Sequence, residues 1–144
     1  MALTLTGLVE RPFDIPPDAL ASQRIERIED FVCLEGWTKP DQAWSGYRMD
    51  DLVRLAGPTK EARYVEVASG DFVAVLPLSA LPQALLADTQ NGHSLGEGSW
   101  RLVISGGPCY NSVKGVDRIT VVNDDRGETA RTISLTRIGK AEDI

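Results

Sequence analysis

The residue in this sequence best suited to chemistry is Cys33, which lies near the end of a β-type run from Ile28 to Leu34. The chain turns immediately afterwards at Gly36, whose lack of a side chain permits backbone angles that other residues avoid. Trp37 and Trp44 follow shortly after. A thiol at a strand end beside a glycine and bulky rings is well placed to face a pocket. The alternative is a small core residue, the usual role of an unpaired cysteine.

Length and composition bound what the whole chain can be. We expect residues 1–144 to form a single domain, since 144 residues suffice for one substantial core. Apolar residues make up 42% and charged residues 25%, as in ordinary globular proteins. The net charge of −6 argues against a general nucleic-acid-binding protein, which needs a basic surface. No apolar run is long enough to span a bilayer and no secretory signal is visible, so we expect a cytoplasmic protein.

The elements that position Cys33 are mostly short strands. Runs of β-type residues predict strands over Leu3–Leu8, Arg24–Leu34, Tyr64–Ala68, Phe72–Leu76, Arg101–Ile104, Arg118–Val122 and Thr129–Leu135. The turn Ser69-Gly70-Asp71 joins two of them into a hairpin. We read Trp44–Tyr47 as an irregular piece, and 92–99 and 105–112 as loop and turn regions.

Helices are predicted only between the strands. Pro17 suits the first turn of a short helix through Leu20. Asp50 or Asp51 can cap a second helix, which ends at Gly57-Pro58. Ser79 can cap a third, which runs through Leu81, Leu85 and Leu86 and stops around Asn91-Gly92. Many short strands with inserted helices predict a mixed α+β fold with largely antiparallel sheets.

Seven segments, taken in order, resemble the molybdopterin-binding domain of the sulfite oxidase family. The closer likeness is to its bacterial branch, which includes the catalytic subunit of a periplasmic methionine-sulfoxide reductase. The resemblance covers Leu5 to about Val122 and depends on the order and spacing of the segments together. They are Thr6–Pro12, Val32–Trp37, Trp44–Tyr47, Asp51–Gly57, Asn91–Leu95, Arg101–Val103 and Tyr110–Lys114.

This resemblance implies a metal role for Cys33, because the matching cysteine of the family supplies a thiolate directly to molybdenum. A soft thiolate suits a high-valent metal already held by two pterin dithiolene sulfurs. Coordination would also keep the thiol deprotonated. The implied cofactor is molybdenum–molybdopterin.

The cofactor carries a phosphate, so an anion site is the second requirement. Ser112 and Lys114 match the family's cofactor-binding segment, which here also includes Tyr110, and they supply a hydroxyl donor and a positive charge. Arg101, on the neighbouring predicted strand, could donate hydrogen bonds from its planar guanidinium to the phosphate or the pterin. The alternative is that these are ordinary surface residues.

Several positions depart from the family pattern. Gly115 replaces a tryptophan beside the predicted phosphate site, and Ser94 replaces a proline. The N-terminal segment and the C-terminal dimerisation domain of larger relatives have no counterpart in this sequence. We interpret His93 as a solvated loop residue and Cys109 as an incidental thiol.

Two hypotheses of different class follow. The first is a molybdenum-dependent oxidoreductase that performs oxygen-atom transfer at a metal held by Cys33. The second is a non-catalytic remnant of the fold that acts as a binding or interaction domain. Under the first hypothesis we expect weak activity from this chain alone, with a protein partner or a homodimer contact completing the site.

Overall fold

Two five-stranded β-sheets form the framework of the part of the chain that the structure describes. The computed structural model describes residues 3–32, 38–104 and 113–130, and for residues 29–32 and 38–40 it describes the backbone alone. In chain order the strands of these ranges are β1 Leu3–Gly7, β2 Phe13–Ile15, β3 Ile25–Val32, β4 Thr38–Arg48, β5 Tyr64–Ser69, β6 Phe72–Pro77, β7 Ala84–Gln90, β8 His93–Ser94, β9 Arg101–Ile104 and β10 Arg118–Val122.

The first sheet has the order β2-β1-β10-β5-β6. Only the β1–β10 pair within it is parallel, and the strands approach closely at Gly7, where an added Cβ would lie 2.2 Å from the carbonyl oxygen of Val121. Ile119 and Val121 alternate with more exposed residues along β10 and face the core. The β5–β6 hairpin has its tip at Ser69-Gly70-Asp71, as predicted.

The second sheet has the order β3-β4-β7, with β8 and β9 both paired to the far edge of β7. β3 and β4 form a hairpin that runs from the pair Ile25–Gly46 to the pair Val32–Thr38. Its register shifts between Glu29 and Phe31, where β4 carries one extra residue. Such a bulge bends the strand that carries it.

Helix α1, Met49–Ala56, follows β4 directly and buries one face. Met49, Leu52, Val53 and Ala56 form this buried face, as expected from helical spacing. Gly57 ends the helix in the left-handed region (φ 72°), and its N–H donates to the carbonyls of the last turn. The predicted helix and its termination are therefore confirmed. The predicted cap at Asp50 or Asp51 is wrong, because the N-cap is Arg48 and both aspartates lie in the first turn.

Two of the sequence predictions for this region are wrong. The helix predicted from Ser79 is a 3₁₀ helix, Leu78–Gln83, followed by the central strand β7. Leu85 and Leu86 are both fully buried, because β7 is covered on both faces. Such an apolar run cannot be told from a helix by periodicity alone. The supposed irregular piece Trp44–Tyr47 is part of the eleven-residue strand β4.

Smaller differences concern the ends of the chain. The short helix predicted after Pro17 is a 3₁₀ helix, Asp18–Gln23, and β2 was not predicted. Thr129 donates its N–H to Val73 O at the edge of β6, but most of the predicted last strand, Thr129–Leu135, lies outside the described residues. So does the turn predicted over 105–112.

One apolar core joins the two sheets. It includes Leu5 and Ile119 from the first sheet and Leu86 and Leu102 from the second, each with 0% exposure. The fold is thus α+β, with largely antiparallel sheets and short inserted helices, which confirms the predicted fold class.

Candidate functional site

Arg101 and Lys114 lie directly opposite each other in an isolated antiparallel bridge at the start of β9. Leu102 donates its N–H to Val113 O at 2.9 Å, and Val116 donates its N–H to Trp100 O at 3.0 Å. Opposed residues of an antiparallel pair have Cβ atoms about 5 Å apart on the same face. The structure therefore brings together two of the predicted cofactor-binding residues, both cationic.

Gly115 is the extra residue of a bulge in this pairing, since Val116 rather than Gly115 bonds to Trp100. Its φ of +61° lies in the left-handed region, which residues with a Cβ avoid. A tryptophan at this position would be strained. The departure from the family pattern at Gly115 therefore has a local cause in the backbone.

A hydroxyl that sequence reasoning did not identify lies beside this bulge. An ideal Cβ on Gly115 would stand 3.6 Å from Ser69 Oγ, at the tip of the β5–β6 hairpin. Ser69 is half-buried, and its hydroxyl makes no hydrogen bond to any residue that the structure describes. Lys114 itself is exposed and pairs with no carboxylate in those ranges.

Three hydrogen bonds hold the hairpin tip against the chain that follows the bulge. Asp117 donates its N–H to Ala68 O at 2.8 Å and accepts at Oδ2 from the N–H of Gly70 at 2.8 Å. Arg118 Nη2 donates to Gly70 O at 2.6 Å. One backbone bond and two bonds from the side chains of Asp117 and Arg118 therefore hold the hairpin tip that carries Ser69 against the chain that follows Gly115.

The Arg101 side chain lies against the ring of Trp44, on β4. The Arg101 guanidinium carbon lies 5.4 Å from the Trp44 ring centroid, a cation–π distance. The ring is 1% exposed and packs with Leu85 and Val103. A guanidinium presents its donors in one plane, which suits a planar or phosphate-bearing ligand.

The remaining predicted site residues fall outside the described ranges. Cys33 follows Val32, the last residue of β3, and Tyr110, Ser112 and Cys109 lie within 105–112. The last pair of the β3–β4 hairpin before Cys33 is Val32–Thr38. Thr38 precedes Trp44 by six residues on β4, which corresponds to about 20 Å in a regular strand. The register shift between Glu29 and Phe31 bends the hairpin within that length.

The Asn91–Gly92 turn after β7 is fixed by a network of amide groups. Asn91 adopts a left-handed φ of 52°, accepts from the N–H of Ala43 at 2.8 Å and donates its N–H to Ala43 O at 2.7 Å. Gln42 Oε1 accepts from Gln90 at 2.8 Å and from Asn91 at 3.1 Å. His93 lies in strand β8, so its predicted placement in a loop is wrong, while its exposed side chain agrees with the predicted solvated position.

One ion pair near the site is well formed. Both guanidinium nitrogens of Arg24 reach Asp88, at 2.9 and 2.7 Å. Burial alone would raise the pKa of Asp88, but the hydrogen bonds from Arg24 and Thr89 outweigh it and hold this pKa below its ordinary value. The bond to Asp88 likewise raises the pKa of Arg24.

Two further features of the described residues concern metal ions and membranes. Within these ranges, His, Cys, Asp and Glu form no cluster of three or more that could hold a metal ion. No helix of the described part of the chain is long and apolar enough to cross a bilayer.

Comparison with known families identifies the class of this domain as molybdopterin-binding. The family described as "Oxidoreductase molybdopterin binding domain" matches residues 1–130, and the chain belongs to it. The cofactor of this family is the molybdenum–molybdopterin expected from the sequence.

Among named relatives, the chain is 35% identical over 97 residues to the "Uncharacterized oxidoreductase YuiH" of Bacillus subtilis, covering 65% of this chain and 49% of that protein. It is 31% identical over 81 residues to the protein-methionine-sulfoxide reductase catalytic subunit MsrP of Campylobacter jejuni, covering 56% of this chain and 25% of that protein. Thus the chain spans about half and about a quarter of the length of these relatives.

The fold is similar to that of the sulfane dehydrogenase SoxCD of Paracoccus pantotrophus. The TM-score is 0.74 at 21% identity, over 85% of this chain and 38% of that chain. At this level of identity the similarity concerns the fold alone.

Proposed function

We propose that this chain binds the molybdenum–molybdopterin cofactor with Lys114 and Arg101 at its phosphate-bearing end. The observation that carries the proposal is the bridge between these two cations, next to a Ser69 hydroxyl that has no described partner. Two positive charges and a hydroxyl donor are the groups that a phosphate requires. The open left-handed bulge at Gly115 leaves room for such a ligand to approach the backbone.

Each residue of the proposed site has its own task. Lys114 supplies a mobile positive charge, while Arg101, backed by Trp44, supplies a planar set of donors. Ser69 donates a hydrogen bond from the hairpin tip. On the basis of the family resemblance, Ser112 and Tyr110 add further donors from the segment that precedes Lys114.

We propose Cys33 as the metal ligand of the same site. The support is its match to the family's cysteine and its position directly after β3. A thiolate ligand suits molybdenum bound through dithiolene sulfurs. When bound, the cofactor supplies the redox chemistry of oxygen-atom transfer, and Cys33 would hold the metal at the end of the β3–β4 hairpin.

We further propose that residues 1–144 fold as one domain. The shared core supports this, because side chains of both sheets pack in a single apolar cluster.

The test is metal and pterin analysis of protein made in a host that synthesises the cofactor. We expect bound molybdenum and pterin in the wild-type protein. Cys33→Ser should lower the molybdenum-to-pterin ratio and abolish the thiolate-to-metal charge-transfer absorption. Cys109→Ser is the matched control, and it should retain both signals. A wild-type protein without molybdenum or pterin, despite added molybdate, would refute the proposal.

The two candidate roles differ in what the loaded protein does. A molybdenum-dependent oxidoreductase would turn over sulfite with an electron acceptor, or a sulfoxide with a reduced dye. A binding or interaction domain would retain the cofactor and show no turnover in either direction.

A further inference from the structure

A line of contacting side chains connects the Arg24–Asp88 ion pair to the proposed anion site. Asp88 is the extra residue of a bulge on β7, because Gly46 pairs with Ala87 whereas Ser45 pairs with Thr89. Its carboxylate accepts hydrogen bonds from Nη1 and Nη2 of Arg24, and its carbonyl accepts one from the N–H of Leu95. The ion pair therefore fixes the bulge on the strand that pairs with β9.

The Arg24 guanidinium also covers an aromatic ring. Its central carbon lies 5.4 Å from the ring centroid of Tyr47, on the neighbouring strand β4. The side chains of Arg24 and Asp88 are 37% and 30% exposed, whereas Tyr47 is only 5% exposed. The cation thus lies at the surface and the ring behind it reaches into the core.

Tyr47 in turn contacts Trp100, the residue before Arg101. Their ring centroids are 6.2 Å apart with an interplanar angle of 48°, a favourable aromatic arrangement. Trp100 is 6% exposed, and its carbonyl accepts the N–H of Val116 at 3.0 Å, the bond that closes the bulge at Gly115. A shift of Trp100 would therefore move both β9 and the segment that carries Lys114.

We propose that Arg24, Asp88 and Tyr47 are positioning residues for the Arg101–Lys114 anion site, acting through Trp100. The inference rests on the proposed function, since it concerns the geometry of the same site. None of the three contacts the ligand. Their effect is to hold the Trp100 backbone where its carbonyl fixes the Gly115 bulge, which aligns Arg101 with Lys114.

The experiment compares the dissociation rate of molybdopterin from loaded protein, followed by the fluorescence of the oxidised pterin that is released. Arg24→Gln and Tyr47→Leu should each release pterin about fivefold faster than wild type, the change expected for losing one cation–π or aromatic contact. Tyr47→Phe keeps the ring against Trp100 and should stay within about twofold of wild type.

Two controls separate positioning from a general loss of stability. Arg54→Gln breaks an ion pair with Asp50 (2.5 Å) that has no link to the site, and it should leave the release rate unchanged. Ile119→Val destabilises the core of the first sheet, and it should lower the melting temperature without accelerating release.

The possible outcomes are distinguishable. A wild-type protein that binds no pterin would refute the proposed function itself. If wild type binds pterin and Arg24→Gln releases it at the wild-type rate, the positioning role is wrong while the proposed function stands. Equal acceleration by Ile119→Val would also overturn the positioning role, because release would then follow stability alone.

Discussion

Lys114 is exposed and lies opposite Arg101, so its charge is available to a ligand without breaking an ion pair to any described carboxylate. We predict that Lys114→Ala weakens cofactor binding about ten- to a hundredfold. A charge-assisted hydrogen bond to phosphate contributes roughly 1.5–3 kcal/mol. The measurement is pterin per protein after dialysis of protein loaded in a cofactor-producing host.

The matched control for this prediction is Lys60→Ala. Lys60 is likewise exposed, but its neighbours Thr59 and Arg63 bond to Leu8 and Val122, at the end of β10 opposite the end that follows Gly115. It should keep the wild-type pterin content, as should Lys140→Ala near the C-terminus. Equal pterin content in the Lys114 and Lys60 variants would count against the proposed anion site.

The Arg24–Asp88 pair predicts a small dependence of stability on pH. The pKa of Asp88 is lower in the folded protein than its unfolded value of about 3.9, so the pair stabilises the protein above that pH. This contribution is lost as the pH falls through the lower folded pKa. Because both side chains are about one-third exposed, it amounts to about 1 kcal/mol or less.

The corresponding measurement is urea unfolding of wild type and Asp88→Asn at pH 7 and pH 3. Wild type should be the more stable at pH 7, by up to about 1 kcal/mol, and the difference should shrink at pH 3. A difference of the same size at both values would mean that ionisation of Asp88 does not contribute.

Among the elements, β4 contains a position where the packing of the sheet tolerates no side chain. Gly46 pairs with Ala87, and an added Cβ would lie 2.0 Å from Leu86 O and 2.7 Å from the Cα of Ala87. Both are backbone atoms, so relief requires the two strands to separate. We predict that Gly46→Ala lowers the free energy of unfolding by more than 3 kcal/mol, roughly the upper range of single substitutions.

Gly92→Ala is the control for this prediction. Gly92 has a positive φ of 80°, but an added Cβ would meet no atom within 4 Å. Its substitution should cost only backbone strain, about 1–2 kcal/mol. Denaturant unfolding of both variants provides the test. A smaller loss for Gly46→Ala than for Gly92→Ala would show that β4 and β7 can separate at little cost.

The elements also show what could be predicted from the sequence. Strands with clear turn signals, such as the β5–β6 hairpin, and the helix ended by Gly57 were predicted correctly because their signals are local. The sequence of β7 predicts a helix, because burial on both faces removes the alternation that marks a strand. Trp44–Tyr47 appeared irregular because Gly46 interrupts the run, although the glycine is needed for the approach of β7.

Some residues of the candidate site could likewise be predicted from the sequence and others could not. Arg101 and Lys114 were recognisable because each lies in a segment that matches the family. Ser69 was not recognisable, since its proximity to Gly115 arises only when β5 pairs with β10 and brings distant parts of the chain together. The position of Gly115 in a left-handed bulge was likewise invisible without the β9 pairing.

The proposed site lies where the two sheets of the molecule are connected. Ser69 belongs to the first sheet and Arg101 to the second, and Lys114 lies on the chain that connects them. A ligand bound to all three would link the two sheets in addition to their shared core. Under the proposed function, binding energy at this site would therefore stabilise the entire fold rather than one sheet.

We accordingly predict that cofactor-loaded wild-type protein melts at a higher temperature than cofactor-free protein. A ligand at one hundred times its Kd adds about 2.7 kcal/mol to the free energy of unfolding. At about 3 °C per kcal/mol for a chain of this size, the melting temperature should rise by about 8 °C. Far-ultraviolet circular dichroism, which reports on both sheets, and tryptophan fluorescence, to which Trp44 and Trp100 of the second sheet contribute, should give the same midpoint. Lys114→Ala should show a smaller rise. Two separate midpoints would mean that the sheets unfold independently, which would contradict the proposal of a single domain.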